Sequence, residues 1–343
     1  MRSATIRDVA RRAGVSVATV SRVHHGSAPV AGETRERVKA AISELDYTPS
    51  HLGQSLARRC HAALGIVIPD LSGPYFAEVL RGFEDVATRA GEAVVVLSTD
   101  GREAPAERIR ILAARVDGLL VLGRTVPDET IAELRSAGRP VVLLARPPVG
   151  DADSIRAENR EAAQKLTSHL ILDHGHRQIA FIGDPASSPD GAERWDGFLA
   201  AHRAAELPAP LPAVPSQYRE QEGYAAVEAL LGERTGVTAL FCANDEIALG
   251  AYAASGEAGL RIGVDIAITG WDDVPVARHV SPSLTTVHQP LHELGARGAR
   301  ALRERVTREV TGAPEAPIHE VLGSRLVIRA SCGCHPNEGG LSQ

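Results

Sequence analysis

From Ala62 onward, short runs of Val, Ile and Leu recur between amphipathic stretches, and this alternation constrains the fold of the 343-residue chain more than any other feature. An apolar run of four to six residues suits a strand buried on both faces, and helix-length stretches between such runs supply the crossovers that parallel strands require. The pattern predicts strands near Leu64 to Pro69, Ala93 to Leu97, Gly118 to Leu122, Pro140 to Leu144, Gln178 to Ile182, Ala239 to Cys242 and Ile266 to Gly270. A long helix near Pro290 to Arg308 carries Leu291, Leu294, Gly298, Leu302 and Val306 at spacings of three and four. A break near Arg156 to Asn159 divides the series into two doubly wound lobes. Such lobes take ligands in the cleft between them, at strand carboxyl ends.

The head of the chain follows a different period. Ile6, Val9, Ala10 and Ala13 stand at helical spacing, Gly14-Val15-Ser16 interrupts them, and Val20 and Val23 resume the pattern. Gly14 suits a left-handed helix end and Ser16 can cap the next helix. A third helix near Gly32 to Leu45 buries Val38, Ile42 and Leu45, which completes a helix-turn-helix unit. Val17, Ala18, Thr19, Ser21 and Arg22 occupy the start of the second helix, the end that meets base edges in the major groove. Arg22 can pair bidentately with guanine, and Val17 and Ala18 offer methyl contacts to thymine. The hydroxyls of Ser16, Thr19 and Ser21 suit phosphate oxygens. Tyr47 to Ser50 ends the unit, and His51 to Arg59 reads as a short helix, too short to be stable without a partner.

Charge separates the same two regions. Residues 1 to 60 hold ten basic and five acidic groups, a balance of +5, whereas the other 27 basic and 38 acidic groups leave −11 on the rest. A basic head on an acidic body fits a chain whose head alone meets nucleic acid. Hydrophobic residues at 44% and charged residues at 23% are those of a globular protein, and 3% aromatic content fits an Ala-, Val- and Leu-packed core. Cys60, Cys242, Cys332 and Cys334 have no disulfide-framework spacing, which points to a reducing compartment, the cytoplasm. The spacing of Cys332 and Cys334 beside His335 favours no metal site, and His174 and His176 read as exposed polar groups ahead of a strand. No apolar run reaches the length of a membrane span, and the first ten residues do not resemble a signal peptide.

The segment T-I-R-D-V-A-R-R-A-G-V-S-V-A-T-V-S-R-V, Thr5 to Val23, closely resembles the DNA-reading head of the LacI/GalR family of bacterial regulators. The resemblance continues through T-R-E-R-V from Thr34, L-D-Y-T-P from Leu45, Q-S-L-A from Gln54, P-Y-F from Pro74 and D-G-L-L-V from Asp117. It goes on through G-H-R-Q-I-A-F-I-G from Gly175, A-N-D-E-I-A-L-G from Ala243, G-W-D-D from Gly270 and L-T-T-V from Leu284. An ordered series of this length is far more specific than a lone helix-turn-helix.

The resemblance implies an α plus α/β chain: a helix-turn-helix DNA-binding domain over 1–49, a hinge helix over 50–61 and a two-lobed periplasmic-binding-protein-like body over 62–331. Within the body the N-lobe takes about 62–157 and 289–320 and the C-lobe about 158–288 and 321–331, with a loose tail over 332–343. It implies DNA contacts from Thr5, His25 and Thr34 besides those named above, His25 standing where many relatives carry Asn. Leu56 resembles the wedge by which paired hinge helices enter the minor groove and kink DNA. Tyr75, Phe76, Arg194, Tyr218, Asn244, Asp245 and Asp272 match ligand-cleft positions, while Ala145 replaces an acid that many relatives carry. For Asn244-Asp245 the alternative is helix capping, and for Asp272 the alternative cleft residue is Asp273.

These readings converge on a cytoplasmic homodimer that represses transcription from a palindromic operator and answers to a small polar effector. A sugar is the first expectation, with repression of a carbohydrate-utilisation operon, and a purine or nucleoside the second. No cofactor is expected. A sugar-binding protein without a DNA role is the rival from another class; the basic head and the missing leader oppose it. A sugar-modifying enzyme would need a catalytic acid-base pair that the sequence does not display, and no P-loop, dinucleotide fingerprint, HExxH or G-x-S-x-G is present.

Overall fold

The computed structural model describes residues 4–25, 29–47, 61–101, 103–233, 235–311 and 316–334. They fall into two units, Met1–Ala62 and Ala63–Gln343. In the first, α1 (Ile6–Ala13) starts at a capping box, in which Thr5 accepts from the Asp8 N–H and the Asp8 carboxylate accepts from the Thr5 N–H. It ends at Gly14 with φ of 64°, the left-handed conformation that glycine adopts without steric cost. Next, α2 (Val17–His25) begins behind Ser16, whose Oγ accepts from the Thr19 N–H at 3.1 Å. The third helix, α3 (Gly32–Glu44), closes the unit over Val9, Ala10, Ala13, Val20, Val38 and Ala41. Arg37 reaches from α3 to donate to the Ala13 carbonyl at 2.9 Å, satisfying an orphan acceptor at the end of α1. The expected hinge helix, Leu56 included, lies outside the described residues.

The second unit opens with β1 (Ala63–Ile68), α4 (Pro74–Arg89), β2 (Ala93–Ser98), α5 (Pro105–Ala113), β3 (Gly118–Leu122), α6 (Asp128–Ser136), β4 (Val141–Leu144) and β5 (Asp153–Ala157). The chain then passes into α7 (Arg160–Ser168), a π-helical turn (His169–Asp173), β6 (Ile179–Ile182), α8 (Pro189–Ala204), α9 (Glu220–Gly232), β7 (Ala239–Cys242), α10 (Asp245–Glu257), β8 (Ala267–Thr269) and β9 (Thr286–His288). It returns through α11 (Leu291–Thr311) to β10 (His319–Leu322) and ends with β11 (Arg325–Val327).

The N-lobe is a six-stranded sheet in the order β10-β5-β4-β3-β1-β2, every described pair parallel. β1, β3 and β4 are buried along their whole length, as their continuous apolar sequences require. α11 packs on α4 across Gly82 and Gly295; a Cβ at either would come within 1.9 Å of a carbonyl oxygen of the facing helix. The C-lobe carries the parallel sheet β6-β7-β8, and β9 pairs antiparallel with β11. Phe181, Phe198, Phe241 and Trp271 are fully buried in its core.

β10 pairs with β5 as far as Leu322, which places the last crossing between lobes after that residue, close to the bound expected near 320. One boundary is corrected: the expected loose tail does not begin at 332, since Cys332 is 1% exposed and Ser331 Oγ donates to the Ile268 carbonyl at 2.6 Å. Among the described residues no helix is long and apolar enough to cross a membrane.

Candidate functional site

On the head, the residues matched to base and phosphate contacts stand on and just before α2. Val20 points into the core, and that fixes the helix so that Ser16, Val17, Ala18 and Arg22 are exposed while Thr19 and Ser21 are partly so. Ser16 and Thr19 also bond each other, Oγ to Oγ1 at 2.9 Å, so this hydroxyl pair sits at the helix N-terminus where backbone N–H groups favour an anion. Thr5 is the cap of α1, and Thr34 is half-buried in the first turn of α3. His25 closes α2; its side chain lies outside the described set.

In the body, the strand carboxyl ends of both lobes face a cavity of about 350 Å³. Pro69 and Asp70 follow β1, Asp100 follows β2 and Ala145 follows β4; from the other lobe come Asp184 after β6, Asn244 after β7 and Asp272 after β8. Tyr75 and Phe76 reach it from the first turn of α4, their rings edge to face with centroids 5.2 Å apart. Ala145, Tyr218 and Asp272 hold φ of 53°, 25° and 105°, and all three line the cavity. Left-handed backbone at non-glycine residues is costly and collects at binding sites, where the surrounding fold holds it.

Arg194 is the centre of the cavity floor, only 3% exposed. Its Nε donates to Asn159 Oδ1 at 2.9 Å and its Nη1 to the Ala243 carbonyl at 2.7 Å, while the guanidinium lies 4.7 Å above the ring of Trp271. Nη2 is 3.8 Å from Asp190 Oδ2, one helical turn earlier on α8. Across the floor, Asp272 Oδ1 accepts from Gln289 Nε2 at 2.6 Å. Burial pushes Asp190 up to about 6 and Asp272 up to about 7, although the neighbouring Arg194 charge pulls both down. Two buried carboxylates around one guanidinium hold more negative charge than the site can neutralise, so they keep a proton or look for donors.

Asp245 is removed from the ligand set. It is fully buried, accepts from the Val274 N–H at 2.9 Å and from Thr286 Oγ1 at 2.7 Å, and does not line the cavity. Its neighbour Asn244 lines the cavity and caps α10, accepting from the Ile247 N–H at 2.9 Å while its amide donates to the Tyr218 carbonyl at 3.0 Å. Asp273 is spent on Arg329 and His288, at 2.5 and 3.2 Å, and Asp272 faces the cavity. The structure adds Asp190, Asn159 and Gln289. Only Asp190 had a readable signal: at four residues before Arg194, it shares that residue's helix face.

At the cavity mouth, Arg219 of the C-lobe donates to Asp70 Oδ2 at 3.1 Å and to Asp100 Oδ2 at 2.6 Å, both in the N-lobe. A second lobe-to-lobe approach brings Glu246 against Gly73.

A helix-turn-helix reader and a two-lobed polar cleft in one chain define a ligand-responsive, DNA-binding regulator. The pattern of the lacI family of bacterial regulatory proteins matches residues 5–50, and that of a periplasmic binding protein-like domain matches residues 168–332. The HTH-type transcriptional repressor PurR of Pasteurella multocida is 33% identical over 336 residues, covering 94% of this chain and 100% of that protein. The lac repressor dimer bound to operator and the anti-inducer ONPF superposes with a TM-score of 0.84 at 28% identity, over 96% of this chain and 99% of that one. The transcriptional regulator CelR in complex with cellobiose gives a TM-score of 0.71 at 31% identity, with coverages of 96% and 99%. The chain belongs to the LacI family, and it is a ligand-responsive DNA-binding repressor.

Proposed function

We propose that the repressor binds a palindromic operator as a cytoplasmic homodimer, and that its effector is a neutral sugar, bound in the cleft without being turned over. The observation that carries the sugar reading is the buried Asp190–Arg194–Asp272 floor. Hydroxyl groups donate to the carboxylates and accept from the guanidinium, so a polyol satisfies both kinds of group at once. Six acids (Asp70, Asp100, Asp184, Asp190, Glu246, Asp272) line the cavity against three arginines (Arg124, Arg194, Arg219), and Arg219 is already paired with Asp70 and Asp100, so the net acidic lining disfavours a phosphorylated or acidic ligand. Similarity to the CelR–cellobiose complex supports a saccharide, and similarity to the lac repressor dimer on its operator supports the dimer. Full-length likeness to repressors supports binding without catalysis.

A second reading, a purine base or nucleoside, is favoured by the aromatic rings of Tyr75, Phe76 and Tyr218 on the cleft and by the similarity to PurR. Trp271 is fully buried beneath Arg194, and the other tryptophan, Trp195, directly follows Arg194, so tryptophan fluorescence is a suitable readout of occupancy. Titration with neutral sugars, sugar phosphates, purines and nucleosides should give a saturating signal with a neutral sugar, which should also change operator affinity. A response to purines alone would replace the sugar reading with the second.

A further inference from the structure

At the end of the C-lobe strands opposite the cleft, four side chains converge that the repressor function does not use. His169 opens the π-helical turn after α7, and His174 follows that turn just ahead of β6. Cys332 and Cys334 flank Gly333 beyond β11. One ligand atom from each of the four lies within 4.8 Å of the other three. His169 Nε2 is 3.2 Å from His174 Nε2, 3.4 Å from Cys332 Sγ and 3.8 Å from Cys334 Sγ, and Cys334 Sγ is 3.3 Å from His174 Nε2. A zinc tetrahedron with ordinary bond lengths has N–N edges of about 3.3 Å and N–S edges of about 3.6 Å. Four of the six edges match it to within a few tenths of an ångström, and the other two lie within 4.8 Å.

We propose that His169, His174, Cys332 and Cys334 form a closed structural zinc site that staples the C-terminal segment to the π-turn of the C-lobe. Two thiolates and two imidazoles are the soft and borderline donors that select Zn²⁺, and their charge neutralises it. Four protein ligands leave no open position, so the role is structural rather than catalytic.

The surroundings are those of a metal site. His169 Nδ1 bonds Asp173 Oδ2 at 2.7 Å, which turns Nε2 toward the centre. Carboxylate partners of this kind orient metal-bound imidazoles. Thr285 Oγ1 donates to Cys332 Sγ at 3.1 Å, a bond that suits a thiolate. Gly333 has φ of 100°, a conformation open to glycine that lets the two flanking thiols face one point, and a Cβ there would press on the Gly263 carbonyl at 3.2 Å. Sequence spacing alone favoured no metal site because His169 and His174 join the two thiols only in the fold, where His174 is half-buried rather than exposed.

The test uses the full chain, reduced, stripped with a chelator and titrated with Zn²⁺ or Co²⁺ alone. The expected result is one equivalent per chain, with intense visible bands and a thiolate-to-cobalt charge-transfer band, the signature of tetrahedral S2N2 coordination. Zn²⁺ should also protect Cys332 and Cys334 from alkylation. Asp173→Asn keeps all four ligands, so it should retain the cobalt spectrum while weakening zinc affinity roughly 10- to 100-fold. A pale octahedral cobalt spectrum in the unaltered protein would overturn the site without recourse to any variant. So would full stoichiometry in the Cys334→Ser/His174→Gln double variant, or a Cys332–Cys334 disulfide in freshly isolated protein whose thiols were blocked on lysis.

Discussion

Arg22 and Arg194 carry the same guanidinium at opposite extremes of solvation. Arg22 stands exposed on α2. Arg194 is 3% exposed and tied to Asn159 and the Ala243 carbonyl before any ligand arrives. An exposed cation meets a partner that supplies its own dense negative charge, so attraction does the work and salt screens it. A buried cation has already lost its water, and what it offers a ligand is a fixed direction. On the proposed reading, one chain would meet a polyanion with exposed charge and a neutral ligand with buried, oriented charge.

The largest effect that tests this contrast is expected from Arg22→Ala. Each bidentate guanine contact discriminates by about 1–3 kcal/mol. Two copies in a symmetric dimer give about 2–6 kcal/mol, or roughly 30- to 10⁴-fold in operator affinity. Fluorescence anisotropy at fixed salt should show that loss on operator and much less on random DNA, with thermal unfolding unchanged. Equal losses on both DNAs would make Arg22 a phosphate contact.

Arg194→Ala comes next. Losing hydrogen bonds from a charged donor costs about 1.5–3 kcal/mol, so effector affinity should fall roughly 10- to 150-fold. Ligand-free operator binding should persist, because nothing on α2 changes. Removing the cation also leaves Asp190 and Asp272 facing each other, so the variant should lose more stability above pH 7 than at pH 5, where the pair is protonated. Wild-type effector affinity would show that the cavity floor is not the binding site.

How much of this was readable in sequence follows the same divide. On the head, the candidate contact residues lie at successive positions of one helix, and the Gly14 turn and Ser16 cap were legible because each is local. In the body, the strands with continuous apolar runs were legible. β5, with sequence D-S-I-R-A, was not: it is short and polar, and its buried Asp153 is satisfied by two 2.7 Å bonds from Arg305 and one of 2.7 Å from the Ile318 N–H, partners that come from distant parts of the chain. β9, β10 and β11 are three or four residues long and mixed in polarity. Asn159 and Gln289 gain their roles from where the chain crosses between lobes, a property of the assembled fold. Asp245 misled because an Asn-Asp pair opening a helix looks alike whether its carboxylate faces a cleft or a core.

Acidity sharpens the contrast further. Asp272 titrates near 7 and Asp190 near 6 in the folded protein because burial disfavours their charge. Unfolded carboxylates titrate near about 4, so the folded state holds extra protons between the two values. That stability is complete below about pH 4 and is lost as pH rises through 7. A ligand whose hydroxyls donate to ionised carboxylates works against those protons. Sugar affinity should therefore fall about tenfold from pH 8 to pH 6, since one unit below its titration point only about a tenth of Asp272 is ionised. Calorimetry in matched buffers would measure it. Affinity that rises toward acid would mean that the ligand accepts from a protonated carboxyl, as a purine ring nitrogen would.

The smallest expected effect belongs to Arg219, which shares the exposure of Arg22 but sits at the mouth of the cleft that Arg194 serves. Its side chain is 45% exposed, and it joins Asp70 and Asp100 across the lobes. Exposed ion pairs contribute about 0–1 kcal/mol, so Arg219→Ala should shift effector affinity by at most about fivefold. The direction follows from which arrangement the bridge holds. It spans lobes that both line the cavity, so its loss favours separation of the lobes and weakens the ligand, and the ligand can recover only the differential affinity it has for the closed form. Because the pair is solvated, the difference between variant and parent should shrink as ionic strength rises, whereas the loss in Arg194→Ala should stay nearly constant. Isothermal titration at two salt concentrations distinguishes the cases: an Arg219 effect that does not respond to salt would show that this arginine acts as a desolvated binding group and not as a screened latch.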